Sequence, residues 1–171
     1  TLAMSSAASD VYKRQLGDWE QEVWYSYYNI ANIYEARGDM GNAVIYWLKG
    51  YNHNPKRLEN IHKLVQYYRV IGECKTAKMF YDIARKAIDE GIDKDKYLFF
   101  ANDVYSYKFD YEFSIISCYL GIKNINDSAV TIFNNSRDDN IISNTLSNMK
   151  FYKYILEPTQ VVDFTYIEKR N

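Results

Sequence analysis

A spacing of 34 residues between matching side chains constrains the fold of this chain most strongly. Residues 24–57 carry an ordered set of aromatic, aliphatic, small and proline residues, namely Tyr27, Ile30, Ala31, Tyr34, Ala43, Trp47, Gly50 and Pro55. The same types return 34 positions later as Ile61, Leu64, Val65, Tyr68, Ala77, Tyr81 and Ala84, and only the proline is replaced, by Asp89. A fixed period of this length indicates stacked units of supersecondary structure.

The spacing within each unit indicates a pair of helices, because apolar residues recur three and four positions apart. Small residues let the two helices approach closely, while aromatic residues fill the space to the next pair. The pattern resembles the tetratricopeptide repeat, and it predicts an all-α fold, an α-solenoid of helical hairpins. The signature residues of this repeat perform no chemistry, so the resemblance implies a binding module.

Continuing the pattern along the chain predicts three repeats and a degenerate fourth helix pair. Asp18 is the expected N-cap of the first helix, and Gly38 stops that helix. Three inserted residues after Gly91 displace the third repeat, whose pattern becomes Leu98, Ala101, Tyr105, Ser114, Cys118 and Gly121. The predicted helices cover residues 18–36, 42–51, 57–71, 76–89, 96–108, 111–121, 127–134 and 141–156.

The ends of the chain differ from this central part. Residues 1–15 lack periodicity, and their string SDVYKRQ resembles adapter sequence read through in environmental sequence assemblies. We therefore expect residues 1–15 to be a non-native or disordered segment and the protein to continue upstream. Residues 16–156 form the predicted helical repeat domain. Residues 157–171, beginning near Pro158, form the predicted C-terminal tail.

Composition and charge exclude several functions. A formal net charge of −1 gives no field that would attract nucleic acid or an anionic membrane. Cys74 and Cys118 have neither the spacing of a zinc site nor that of a disulfide scaffold. No signal peptide and no apolar run of about 18 residues is present, so we expect a cytoplasmic protein.

The sequence also lacks the motifs of catalysis. Asp93-Lys94-Asp95 has the form of a metal-binding Asp-x-Asp, but it follows a helix rather than a buried strand. His53 and His62 have no partner at the spacing of a zinc pair or of a nucleophile motif. Gly-rich phosphate loops are absent. We therefore predict no enzyme activity for this chain, no metal and no cofactor.

The predicted binding surface is the concave face lined by the first helix of each repeat. Exposed aromatic side chains beside Arg and His are typical of peptide-binding hot spots. Our candidate contacts on this face are Tyr28, Asn32, Glu59, His62, Arg69, Phe99 and Asp103. A carboxylate clamp of the co-chaperone type is disfavoured, because Tyr28 stands where that clamp has its first lysine. The face could alternatively pack on another domain or simply be solvated.

Several strings beyond the repeat resemble a tetratricopeptide-like region attached to family 2 glycosyltransferases: NPKRLENIHKLVQYYR, LFFANDVYSYKFDYEFSIISCYLG and SNMKFYKYIL. The likeness covers about residues 24–156 and includes Arg57, Glu59, Tyr68, Arg69, Tyr105 and Glu112. It implies a non-catalytic interaction or substrate-positioning arm, with the catalytic domain outside this sequence. The alternatives are a free-standing adaptor that binds a protein segment in its groove and, third, a chain that is itself an enzyme.

Overall fold

The computed structural model describes the backbone of residues 2–152 and the side chains from Trp19 onward. This part of the chain contains helices and no β-strand, which confirms the predicted all-α fold class. The α-helices are α1 (Leu2–Ala36), α2 (Met40–His53), α3 (Glu59–Val70), α4 (Cys74–Asp89), α5 (Phe109–Leu120), α6 (Asn126–Asn135) and α7 (Asp139–Asn148).

Consecutive helices pack on one another through α1 to α6. Short turns that end in a left-handed glycine separate several of them, with φ of 77° at Gly38 and 84° at Gly72. Such a glycine ends a helix without the steric cost that a Cβ would add. Asp39 then begins α2 by accepting a hydrogen bond of 3.1 Å from the backbone N–H of Asn42.

Small residues lie where the helices meet, as the periodicity predicts. Ala31, Ala43, Ala77 and Ala84 are completely buried. At Gly50 on α2, an added Cβ would lie 2.2 Å from Nδ2 of Asn60 on α3. A side chain at residue 50 would therefore displace the buried Asn60 side chain at the contact between the second helix of one pair and the first helix of the next.

The first helix is longer than the sequence pattern predicts. α1 begins at Leu2, so Asp18 lies inside the helix and is not its N-cap. The boundary expected between residues 15 and 16 does not interrupt the helical backbone. The helices predicted at 42–51, 57–71 and 76–89 correspond to α2, α3 and α4 within a few residues.

The prediction of two helices at 96–108 and 111–121 is wrong. Residues 97–101 are not helical, and residues 102–120 form one continuous helical segment that includes a π-helical turn, Val104–Lys108. No glycine or proline lies near the expected turn, where Phe109 and Asp110 are buried. The partner of this segment is α6, which packs on both α5 and the π-helical turn.

The last described residues follow the predicted order. α6 and α7 replace the helices expected at 127–134 and 141–156, but α7 ends at Asn148 and a 3₁₀ turn, Met149–Tyr152, follows it. The buried hydroxyl of Tyr152 donates a hydrogen bond of 2.6 Å to the Ser114 carbonyl on α5. The predicted tail at 157–171 lies outside the described residues.

Candidate functional site

A segment without α-helix, residues 92–101, connects α4 to the helical segment 102–120, and we call it the strap. The buried guanidinium of Arg57 fixes it by donating hydrogen bonds to the carbonyls of Leu98 (2.8 Å) and Phe99 (3.1 Å). Arg57 also lies 3.7 Å from the ring centroid of Trp24 and 5.1 Å from that of Tyr97. This arrangement ties α1, the start of α3 and the strap together.

Glu59 neutralises Arg57 and completes the cluster. Its carboxylate accepts hydrogen bonds from Arg57 Nη2 (2.9 Å), the Tyr105 hydroxyl (2.7 Å) and the Ala101 backbone N–H (3.3 Å). The Tyr105 oxygen in turn accepts one from the Leu58 N–H at 2.9 Å, and burial raises the pKa of Tyr105. Buried charges need such complete pairing, so Glu59 stabilises the fold and is not free to bind a partner.

The strap presents Phe99 to solvent from a strained backbone. Phe99 has φ of 55°, a left-handed value that costs a non-glycine residue of the order of 1 to 3 kcal/mol. Its side chain is 59% exposed, and the ring stacks on Tyr25 with centroids 4.2 Å apart. The Arg57 hydrogen bonds hold this conformation, because they fix the carbonyl of Leu98, which precedes Phe99, and the carbonyl of Phe99 itself.

A polar surface lies beside the strap, formed by Tyr28 and Asn32 of α1, His62 of α3, and Asp103 and Lys108 at the two ends of the π-helical turn. We call these five residues the groove face. The Tyr28 side chain forms a hydrogen bond with Asn32. Burial raises the pKa of Tyr28, while Asn32 and the positive charge of Lys108 oppose this shift. Asp103 pairs with Lys108 at 2.6 Å and accepts a hydrogen bond from the Val104 N–H.

His62 forms the floor of the groove face. It is 8% exposed and lies edge-on to Phe109, with centroids 5.4 Å apart. Burial, reinforced by Lys108 and Lys63, lowers the pKa of His62 to about 3, so the ring is neutral at pH 7. Among the described side chains, neither His62 Nε2 nor Asn32 Oδ1 has a hydrogen-bond partner. Both atoms are enclosed, with almost no access to solvent, and unpaired polar atoms in such positions are uncommon.

Arg69 lies at the far end of α3 and is engaged in an ion pair with Glu112 of α5. Glu112 is buried, and this burial raises its pKa, although Arg69 opposes the shift. A buried carboxylate needs its cation, so Arg69 stabilises the packing of α3 on α5. A charge reversal at Arg69 would therefore disturb the fold as well as any binding.

The structure thus places the predicted contacts in three settings. Tyr28, Asn32, His62 and Asp103 lie on the groove face, Phe99 lies on the strap, and Glu59 and Arg69 belong to buried ion pairs. The sequence analysis missed Lys108 and Lys63, which flank His62. Lys108 escaped notice because the π-helical turn inserts a residue that the 34-residue spacing cannot anticipate.

No described side chains form a group of three or more metal-ligating residues. Asp93 of the Asp-x-Asp string instead pairs with Lys96 at 2.8 Å, next to a 3₁₀ turn, Lys94–Lys96. Within residues 2–152, none of the helices has the length and apolar character needed to cross a bilayer. No family model matches the chain, and comparisons with curated proteins and with solved structures give no match.

Proposed function

We propose that this chain is a non-catalytic interaction module, an α-solenoid of tetratricopeptide-like hairpins whose groove face binds a protein segment. The supporting contacts are those of successive helix pairs: α1 with α2, α3 with α4, and the segment 102–120 with α6. Each pair also touches the next, through α2 with α3 and α4 with α5. In this interpretation α7 closes the array, as a terminal element of a solenoid must.

The observation that carries the binding proposal is the exposed ring of Phe99, which stacks on Tyr25 of α1. Asp103 and Lys108, at the two ends of the π-helical turn, add a partly exposed pair of opposite charges. His62 Nε2 and Asn32 Oδ1 are enclosed beneath this surface and are not contacts for a bound segment in this conformation. An extended segment placed along α1 would meet the aromatic ring and then the charged pair.

The bound segment belongs either to the same polypeptide or to another protein. The resemblance to the arm of family 2 glycosyltransferases favours the first, in which the module positions a catalytic domain or its substrate. The residues that carry this resemblance meet in the fold: Arg57, Glu59 and Tyr105 in one cluster, and Arg69 with Glu112 in another. The alternative is a free-standing adaptor, which would use the same groove face for a separate protein.

Selection from a library of displayed peptides tests the groove face directly. We expect the selected peptides to lose at least about tenfold in affinity when Phe99→Ala or Asp103→Asn is introduced, as for central interface residues. Tyr119→Ala is the matched control, because Tyr119 is an exposed aromatic residue on α5 outside the groove face. Peptides that bind equally well to all three variants would refute the proposed surface.

The sequence upstream of Leu16 in the parent gene separates the two versions of the proposal. A catalytic α/β domain with an Asp-x-Asp after a strand would support the glycosyltransferase arm. An in-frame start near Met4 with nothing before it would instead favour the adaptor and remove the first version.

A further inference from the structure

A second polar site lies between α4, α5 and α6, in a cleft of about 380 Å³. It shares no residue with the groove face, so an inference from it does not rest on the function proposed above. The side chains that decide its chemistry are Tyr81 and Arg85 of α4, Asp110 and Phe113 of α5, and Asp127 and Ser128 of α6.

Asp110 is the buried acceptor of this cleft. It is 7% exposed, and its Oδ1 accepts a hydrogen bond of 2.8 Å from the Ser128 hydroxyl. Its Oδ2 has Arg85 Nη1 as the nearest cationic atom, at 4.0 Å, which is too long for a hydrogen bond. Burial raises the pKa of Asp110, while the Ser128 hydrogen bond and the charge of Arg85 oppose this shift.

Arg85 is hydrogen-bonded to Asp89 rather than to Asp110. Its Nε donates a hydrogen bond of 2.9 Å to Asp89 on the next turn of α4, and the bond to Asp89 is the largest cause of the raised pKa of Arg85. Asp89 is exposed and does not line the cleft, so the lining carries one positive charge, on Arg85, and two negative charges, on buried Asp110 and on exposed Asp127. The net charge of the lining is therefore negative.

One wall of the cleft is formed by two aromatic rings. The rings of Tyr81 and Phe113 stack with centroids 4.5 Å apart and planes inclined by 12°. Such a wall suits the methylene stem of an amphipathic side chain, whose charged end needs an acceptor beyond it. Asp110 and Asp127 provide that acceptor.

We propose that this cleft binds an organic cation, a primary ammonium or a guanidinium group. Such a group would donate to Asp110 Oδ2 and neutralise Asp127, whereas an anion would meet two carboxylates and find Arg85 already paired. The cation belongs either to a Lys or Arg side chain of a peptide or to a free alkylamine. The cleft would recognise the same cationic group in both cases. The two sources differ only in whether the amides of a peptide add to the binding affinity.

Titration of the ¹⁵N-labelled chain by NMR tests this site with n-butylammonium and N-acetyl-lysine methylamide at constant ionic strength. We expect saturable shifts of the amides of Asp110, Asp127 and Ser128, with Kd of about 1 mM for ligands this small. The neutral isostere 1-butanol should leave them unchanged. Tighter binding of the lysine derivative than of n-butylammonium would point to a peptide source, and equal binding to a free amine.

Two substitutions decide whether the carboxylates are responsible. We expect Asp110→Asn to weaken binding by at least about tenfold and the exposed Asp127→Asn by about threefold. Asp93→Asn, in the strap where exposed Asp93 pairs with Lys96, is the matched control and should change nothing. A response to 1-butanol equal to that of the ammonium, or full affinity in folded Asp127→Asn and Asp110→Asn, would overturn the proposal. If Asp110→Asn does not fold, Asp127→Asn decides alone.

Discussion

Two regions of the molecule are held together by different kinds of contact. From Trp24 through α4, the helices meet at buried alanines and at Gly50, and the closest contacts depend on shape. From the strap through α5, buried polar side chains are as frequent as buried apolar ones: Asp110 and Glu112 are almost fully buried, and Arg57 and Glu59 reach the strap from the start of α3.

The difference shows what each kind of contact can specify. Contacts between small residues require only that two helices approach closely, so they can be repeated at a fixed spacing. A buried ion pair requires particular donors and acceptors at fixed positions, so it orders one segment and cannot be repeated. The regular region should therefore be sensitive to added volume, and the strap to loss of charge.

The largest expected effect comes from breaking the strap. Arg57→Met leaves Glu59 buried without its cation and frees the Leu98 and Phe99 carbonyls, which should lower the free energy of unfolding by about 3 to 5 kcal/mol. Urea denaturation measures this change. The double variant Arg57→Met/Glu59→Leu should recover a large part of it, because no uncompensated charge remains. A loss below about 1 kcal/mol in the single variant would show that the cluster is not stabilising.

Added volume tests the regular region. Ala43 is completely buried where α2 packs on α1, so Ala43→Trp should overpack the pair and lower the free energy of unfolding by about 1 to 3 kcal/mol. The exposed neighbour Ile45 offers a control, since Ile45→Trp on the same helix adds volume toward solvent. Equal stability of both variants and the parent would contradict the packing described for α1 and α2.

A pH titration examines His62, which lies where the two regions meet. Its folded pKa of about 3 is below the ordinary value of 6.5, so the unfolded state binds the proton first as pH falls. This group therefore stabilises the fold fully above pH 6.5, and the contribution is lost progressively as pH decreases toward 3. Between pH 7 and pH 5 the expected loss is about 2 kcal/mol.

The comparison variant for this titration is His62→Gln, which should lose less stability than the parent between pH 7 and pH 5. His53→Gln serves as the control, because His53 is exposed at the end of α2. Parallel pH profiles for the parent and His62→Gln would show that His62 is not held neutral by burial.

The sequence predicted the helices best where local signals agreed with packing. Gly38 and Gly72 lie at positive φ, as turns at these places require, and α2 to α4 follow the predicted limits closely. The prediction of the third hairpin was wrong, because the conformation of this part of the chain depends on residues distant in sequence. Leu98 was expected on an inner helical face, but Arg57 holds its carbonyl in the strap from 41 positions away.

For a related reason, the sequence predicted only some of the residues of the candidate site. Helical spacing identifies Tyr28, Asn32 and His62 as residues that face the same way on their helices. It cannot distinguish a side chain that is available for binding from one that is paired. Glu59 and Arg69 have the same spacing, yet their partners Arg57 and Glu112 engage them within the fold.

By itself, the amino-acid sequence determined the helical class, the turns and the close contacts of the first four helices, because these follow from periodicity and from residue size at neighbouring positions. Only the tertiary structure decided the course of residues 92–120, the pairing of 102–120 with α6, and which polar groups remain unsatisfied. Those features depend on hydrogen bonds and ion pairs between residues far apart in the chain, which no local pattern of side chains records.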